Sequence, residues 1–175
     1  MTRSGFWAKG GYWAAAALLL CGCGATYSWR PSVPQEMRTV CVPTFANESD
    51  VMELGAIASR QLLREFQREG TFKVRAAGDA ALEVQGVVKS TSHSLLGHDR
   101  KGSGVRVATR AFTARAEVSV IDKRRGKVLV DNRPYTARTT FTAGQDRTSA
   151  MRDASGRLMD DLARQVVDDV LSLKW

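Results

Sequence analysis

The side chains able to do chemistry in this 175-residue chain are few and poorly placed for catalysis. Its two histidines, His93 and His98, lie in a stretch of serine, threonine and glycine, with Asp99 beside the second. These three ligand types form a metal site only if a rigid element holds them. Residues 90–104 read as a mobile loop, so solvated histidines are the expectation. The paired carboxylates Asp160-Asp161 and Asp168-Asp169 recur at helical spacing on a polar face and read as surface charge. No G-x-S-x-G elbow, phosphate loop or dinucleotide fingerprint occurs. The pattern predicts a non-enzymatic protein with no metal and no cofactor.

Cysteine chemistry points elsewhere. Residues 1–22 carry Arg3 and Lys9, followed by the apolar run Tyr12-Trp13-Ala14-Ala15-Ala16-Ala17-Leu18-Leu19-Leu20. A basic start before an apolar run of this length is the layout of an export signal. The run falls short of the roughly 20 apolar residues that a membrane-spanning helix needs. Leu20-Cys21-Gly22-Cys23 then resembles a bacterial lipobox, with small Gly22 before Cys23 and Leu20 three positions upstream. Cys21 fits poorly, because Leu20 would have to occupy the small-residue position. Cys23 is therefore the expected lipidation site, and an ordinary cleaved signal with a chance cysteine is the competing reading. Gly24 follows where an aspartate would mark inner-membrane retention in enterobacterial-type sorting, which predicts an outer-membrane anchor. With Cys21 removed and Cys23 acylated, Cys41 is left as a free thiol, and Val40-Cys41-Val42 reads as buried hydrophobe.

Positive charge is local. The whole chain holds 26 Lys+Arg against 18 Asp+Glu. Residues 89–147 hold thirteen basic and five acidic side chains, while the segments 23–88 and 148–175 are each net acidic by one. A concentrated surplus shapes a field. It reads either as a solvated hairpin tip or as a site for an anionic partner, for which Arg100, Lys101, Arg106, Lys123, Arg124, Arg125 and Lys127 are the candidates. An exported, anchored protein rarely meets nucleic acid, so phosphorylated lipid or polysaccharide is the better anion.

The elements that must position these groups follow from periodicity. Residues 23–37, with Pro31 and Pro34, read as a lipidated N-terminus and extended tether, leaving 38–175 as one domain. Residues 39–45 read as a covered strand. Asp50 with Glu53 makes a capping-box pattern before a helix bearing Leu54, Ile57, Ala58, Leu62 and Phe66, which Gly70 closes. Phe72 and Val74 suggest a brief strand, and Leu82, Val84 and Val88 a third. Residues 105–121 alternate at length, Asp122 to Gly126 turn, and 127–141 return, with Pro134 marking a bulge or an edge. Asp146 or Ser149 caps a last helix whose apolar row runs through Met151, Ala154, Leu158, Leu162, Val166 and Val170. This order predicts an α+β two-layer sandwich, with two helices on one face of a mixed, mainly antiparallel sheet of four to five strands.

Taken with Cys23-Gly24, three stretches resemble the lipopolysaccharide-assembly lipoprotein family, LptE. They are Arg38-Thr39-Val40-Cys41-Val42-Pro43-Thr44-Phe45-Ala46-Asn47-Glu48-Ser49, Gly70-Thr71-Phe72-Lys73-Val74 and Ala80-Ala81-Leu82-Glu83-Val84-Gln85-Gly86-Val87-Val88. The turn from Asp122 to Leu129 and the long terminal helix agree. The resemblance implies an outer-membrane lipoprotein facing the periplasm. It would plug and help assemble the LptD β-barrel and bind lipopolysaccharide, whose phosphates would meet basic residues of 89–147. A regulatory lipoprotein similar to the CsgG or penicillin-binding-protein-activator type is the alternative, since it shares the style of the first strand.

Overall fold

The computed structural model describes residues 33–100, 106–143 and 146–175, and only the backbone of residues 98–100, 106–108 and 143. The export signal, Cys23 and most of the tether lie outside the described residues. Six strands, β1 (Thr39–Cys41), β2 (Ala46–Asn47), β3 (Lys73–Val74), β4 (Leu82–Arg100), β5 (Arg106–Asp122) and β6 (Lys127–Ala143), join two helices, α1 (Leu54–Glu69) and α2 (Arg147–Leu171). The sheet runs β3-β1-β4-β5-β6, with β2 also paired to β4. β1 is parallel to β3 and β4, and β2 is parallel to β4; β4–β5 and β5–β6 are long antiparallel hairpins. The α+β architecture with both helices on one face of a mixed sheet is as the periodicity indicates.

One strand becomes two because of where Phe45 goes. Cys41 is paired with Glu83 and Ala46 with Val87, so five residue steps face four on β4. Pro43, which cannot donate to a ladder, lies inside this excursion. The extra residue lets the chain leave the sheet and bury the Phe45 ring among the core side chains. The Phe45 N–H donates to Ser59 Oγ (2.8 Å), which donates in turn to the Gly55 carbonyl (3.0 Å). Two glycines make room. A Cβ on Gly86 would stand 2.2 Å from the Phe45 ring, and one on Gly55 would stand 2.4 Å from the Phe45 carbonyl oxygen.

Apolar alternation then sets the layers. Leu82, Val84 and Val88 of β4, Phe112, Ala114, Ala116, Val118 and Val120 of β5, and Tyr135, Ala137 and Phe141 of β6 are buried beneath the helices. Leu54, Ala58, Leu62 and Phe66 of α1 meet them, as does the row Ala154, Leu158, Leu162, Val166 and Val170 of α2. Phe66, Phe72 and Trp175 close one end, with Phe66 and Phe72 edge to face at 5.5 Å. Cys41 is a buried free thiol whose pKa is raised by burial, followed by the nearby Glu83 charge. Gly70 ends α1 at φ +83°, and Asp146 caps α2 by accepting the Ser149 N–H at 3.0 Å.

Four expectations are corrected by tertiary contacts. The capping box at Asp50 and Glu53 does not form: Glu53 precedes α1 at φ +64° with no side-chain cap, and the Asp50 carboxylate accepts from the Thr91 hydroxyl on β4. Residues 90–100 are strand, not loop, because the ladder to β5 satisfies their backbone whatever their side chains. Residues 33–37 are not tether: Gln35–Met37 form a turn of 3₁₀ helix, and Val33 and Met37 enter the core. His93 is not a solvated histidine: its ring stacks on Phe112 at 4.5 Å, stands edge-on to Phe141, and leaves a buried Nδ1 without a partner.

The close fit at Gly86 is testable. Gly86→Ala should lower unfolding free energy by about 1–3 kcal/mol, the usual cost of overpacking a filled core. Phe45→Leu in the same chain should recover part of that loss in thermal unfolding, although Phe45→Leu alone destabilises.

Candidate functional site

The seven basic candidates do not meet. Arg100 and Arg106 end β4 and begin β5, opposite each other in register. Lys123, Arg124, Arg125 and Lys127 sit at the other hairpin, a strand of 17 residues away. At about 3.4 Å per residue the two groups are roughly 50 Å apart. The side chains of Arg100 and Arg106, together with the whole of Lys101 and Cys23, lie outside the described residues.

Cations at the β5–β6 turn face their own domain. Asp122, with its carboxylate buried, accepts the backbone N–H groups of Arg124 (2.9 Å) and Arg125 (3.1 Å) and so shapes the turn that Gly126 completes at φ +62°. Lys123 Nζ lies 3.1 Å from Glu83 and also reaches the Ala77 carbonyl. Arg124 lies 3.8 Å from Glu36 and Arg125 3.9 Å from Asp122. These contacts staple the turn to β4 and the residues before it. Lys127 is exposed and has no ion-pair partner among the described residues.

A second polar surface lies between the two ends, on the face of the sheet that the helices leave open. Residues pointing away from the helices alternate with the buried ones: Ser90 and Ser92 on β4, Thr113, Arg115, Glu117 and Ser119 on β5, and Thr136, Arg138 and Thr140 on β6. Arg115 stands opposite Thr136 and Ser90, and Arg138 opposite Thr113. The two arginines are thus diagonal neighbours, roughly 7–8 Å apart at the backbone. Neither has a carboxylate partner among the described residues, and Ser90, Thr91, Ser92, Thr113, Arg115 and Thr136 line a shallow groove. Two guanidiniums with hydroxyls between them can donate to the oxygens of a phosphate. Arg115 and Arg138 are not among the seven basic candidates; the sequence signal for Arg115 is the alternation of Thr113, Arg115, Glu117 and Ser119 with apolar neighbours along β5.

A notch opens beside this groove where β1 and β2 part. Its lining is Pro43, Thr44, Ala46, Gln85, Gly86, Val87, Glu117, Ser119 and Asn132, around a volume of about 280 Å³. Asn132 holds a left-handed backbone, φ +40°, at the β-bulge opposite Val118 and Val120. Its N–H donates to Ser119 Oγ at 2.9 Å.

The carboxylates of α2 divide between two roles. Arg164 pairs with Asp160 and Asp161 on the surface, as expected of exposed helix charge. Asp169 instead ties α2 to β6: it lies 3.3 Å from Arg133 and beside the Tyr135 hydroxyl. Burial first, and the Asp169 carboxylate second, push the Tyr135 phenol well above its ordinary value. Among the described residues no group of three His, Cys, Asp or Glu is placed to hold a metal, and no helix is long and apolar enough to cross a membrane.

Known proteins show the following likeness. A family model described as LptE, lipopolysaccharide-assembly, matches residues 37–170. No curated protein matches the chain. A Xanthomonas campestris protein shares the fold at 12% identity and a TM-score of 0.50, over 82% of this chain and 88% of its own. The PelC dodecamer subunit of Paraburkholderia phytofirmans is similar at 18% identity and a TM-score of 0.41, over 75% and 89%. A minor lipoprotein of Acinetobacter baumannii is similar at 12% identity and 0.41, over 77% and 93%.

Glu83 supplies a measurable signature of the staple. The Gln85 amide, and then Lys123, hold its carboxyl below the ordinary value of 4.5. A carboxyl lowered on folding stabilises above its unfolded value, and that contribution disappears as pH falls through the folded value. Urea unfolding should therefore show stability declining as pH drops below about 4.5. Glu83→Gln should flatten that decline while lowering stability at neutral pH.

Proposed function

The chain belongs to the LptE family of lipopolysaccharide-assembly proteins, and from that membership we propose that it is a non-enzymatic, outer-membrane-anchored subunit of the lipopolysaccharide translocon. In this reading Cys23 is acylated and holds the domain at the periplasmic side of the outer membrane. The domain stands in the lumen of an LptD-type β-barrel, assists its assembly, and binds lipopolysaccharide as it passes to the cell surface.

The observation that carries the reading is the open face of the sheet. A protein whose helices and core are complete on one side has no folding reason to leave Arg115 and Arg138 diagonal and, among the described residues, without carboxylate partners on the other. A barrel lumen is polar, so a plug with hydroxyls and guanidiniums on its uncovered face suits it. The phosphates of lipopolysaccharide match paired arginines by charge and by bidentate geometry. Lys123, Arg124 and Arg125 serve this function less well, since each already faces a carboxylate. Lys127 is exposed with no ion-pair partner among the described residues and can add to the contact, and Arg100, Lys101 and Arg106 are kept as candidates from the sequence alone.

Two measurements test this. The chain extracted from outer membranes in detergent should co-purify with a β-barrel protein, and a monodisperse lone subunit would count against the reading. Arg115→Ala with Arg138→Ala should weaken lipopolysaccharide binding by about tenfold or more, as expected for two charge-assisted contacts. The charge reversal Lys123→Glu, Arg124→Glu, Arg125→Glu should act mainly on stability.

A further inference from the structure

We infer that the notch between β1 and β2 is a binding site for a neutral, hydroxyl-rich ligand, a single pyranose ring of a carbohydrate. Its position follows from the fold: the excursion that buries Phe45 on the helix side leaves β4 without a neighbour between Glu83 and Val87. Gly86 contributes only backbone to the lining, its Cβ position being taken on the helix side by the Phe45 ring. The resulting space, about 280 Å³, lies just under the 300–1,000 Å³ typical of sites for drug-sized molecules, which points to a small occupant.

The lining decides the ligand class. Thr44 and Ser119 offer hydroxyls, Gln85 and Asn132 offer amides, and Glu117 offers a carboxylate with no ion-pair partner among the described residues. A carboxylate accepts from two hydroxyls at once, and an amide both donates and accepts, which suits the mixed donors and acceptors of a sugar. Pro43 and Val87 add apolar surface for the C–H face of a ring. No Lys or Arg is in the lining, and Glu117 repels anions. The notch is therefore unsuited to the phosphate that Arg115 and Arg138 suit, and the two sites are chemically distinct.

Asn132 adds an independent sign. Its left-handed backbone, φ +40°, is one that asparagine tolerates and that the bulge requires, and it leaves the residue on the notch lining. Here the residue is fastened on both sides. Ser119 Oγ accepts the Asn132 N–H and lies 3.3 Å from its Oδ1, and Asn132 Nδ2 donates to Asp131 at 2.9 Å. The arrangement holds one amide and one hydroxyl on the lining that Glu117 shares.

Saturation-transfer NMR on the detergent-solubilised full chain tests the site, with methyl glucoside, galactose and methyl phosphate, whose methyl protons report the phosphate group, as separate probes. An amine-oxide detergent is needed, because sugar-headed detergents would compete. Transfer to ring protons of at least one sugar is expected, with none for phosphate dependent on the notch. Glu117→Ala should weaken sugar binding about tenfold. Asn132→Gly should weaken it as well, without loss of thermal stability, because glycine adopts this backbone freely. Absence of transfer to both sugars, or equal transfer in both variants, would overturn the assignment. Lipopolysaccharide binding through Arg115 and Arg138 should be unchanged in both variants, so failure of the notch leaves that reading intact.

Discussion

The Phe45 ring occupies the volume that any side chain at position 86 would need. From that exclusion follow the split of the first strand, the approach of α1, and the shape of the opposite face. For Phe45 to reach the core the chain must step out of the sheet, which requires one more residue than β4 offers over the same span. The departing backbone must then be satisfied, and Ser59 takes the freed N–H while bonding back to Gly55. Gly55 in turn lets the helix come within contact of the Phe45 carbonyl. A bulkier residue at 86 or 55 would push the helix layer away. The core side chains Leu54, Ala58 and Val88 would then lose the close packing on which burial energy depends.

The long hairpins raise a different problem, since β6 is an edge of 17 residues. Exposed edges invite pairing with other chains. Here the edge is blunted in several places. Pro134 has no N–H to offer, Gln165 of α2 donates to the Thr136 carbonyl at 3.3 Å, and Arg157 approaches the Thr140 carbonyl at 3.5 Å. Asp169 draws Arg133 and Tyr135 toward the helix at the same edge. The final helix thus seals the core and guards the strand beside it. The broad apolar stripe of α2 is matched by polar residues that bond backbone, not only solvent.

Much of the fold was legible from the sequence. Helix faces and the buried sides of β4, β5 and β6 follow from periodicity, because burial of apolar side chains is a local pattern repeated along one element. Gly70 and Asp146 mark helix ends for the same reason: the groups they satisfy are their near neighbours. The stretch 90–100 misled because serine, histidine and glycine have weak preference for strands, and only the β5 ladder makes them one. Asp50 misled because Thr91, 41 residues away, competes successfully for the carboxylate that would have capped α1. His93 misled because its aromatic neighbours Phe112 and Phe141 come from two other strands.

The candidate site divides along the same line. Composition and spacing by themselves determined that 89–147 is basic, that 1–22 followed by Cys23 has the layout of a lipoprotein export signal, and that the chain resembles lipopolysaccharide-assembly proteins. These are properties of residue type and order, which no packing can alter. Which cations are available to a partner was decided only in three dimensions. A carboxylate far along the chain neutralises Lys123 or Arg124, while the strand register leaves Arg115 and Arg138 open on the uncovered face. Electrostatic interaction falls with distance through space, and distance along the chain says little about it.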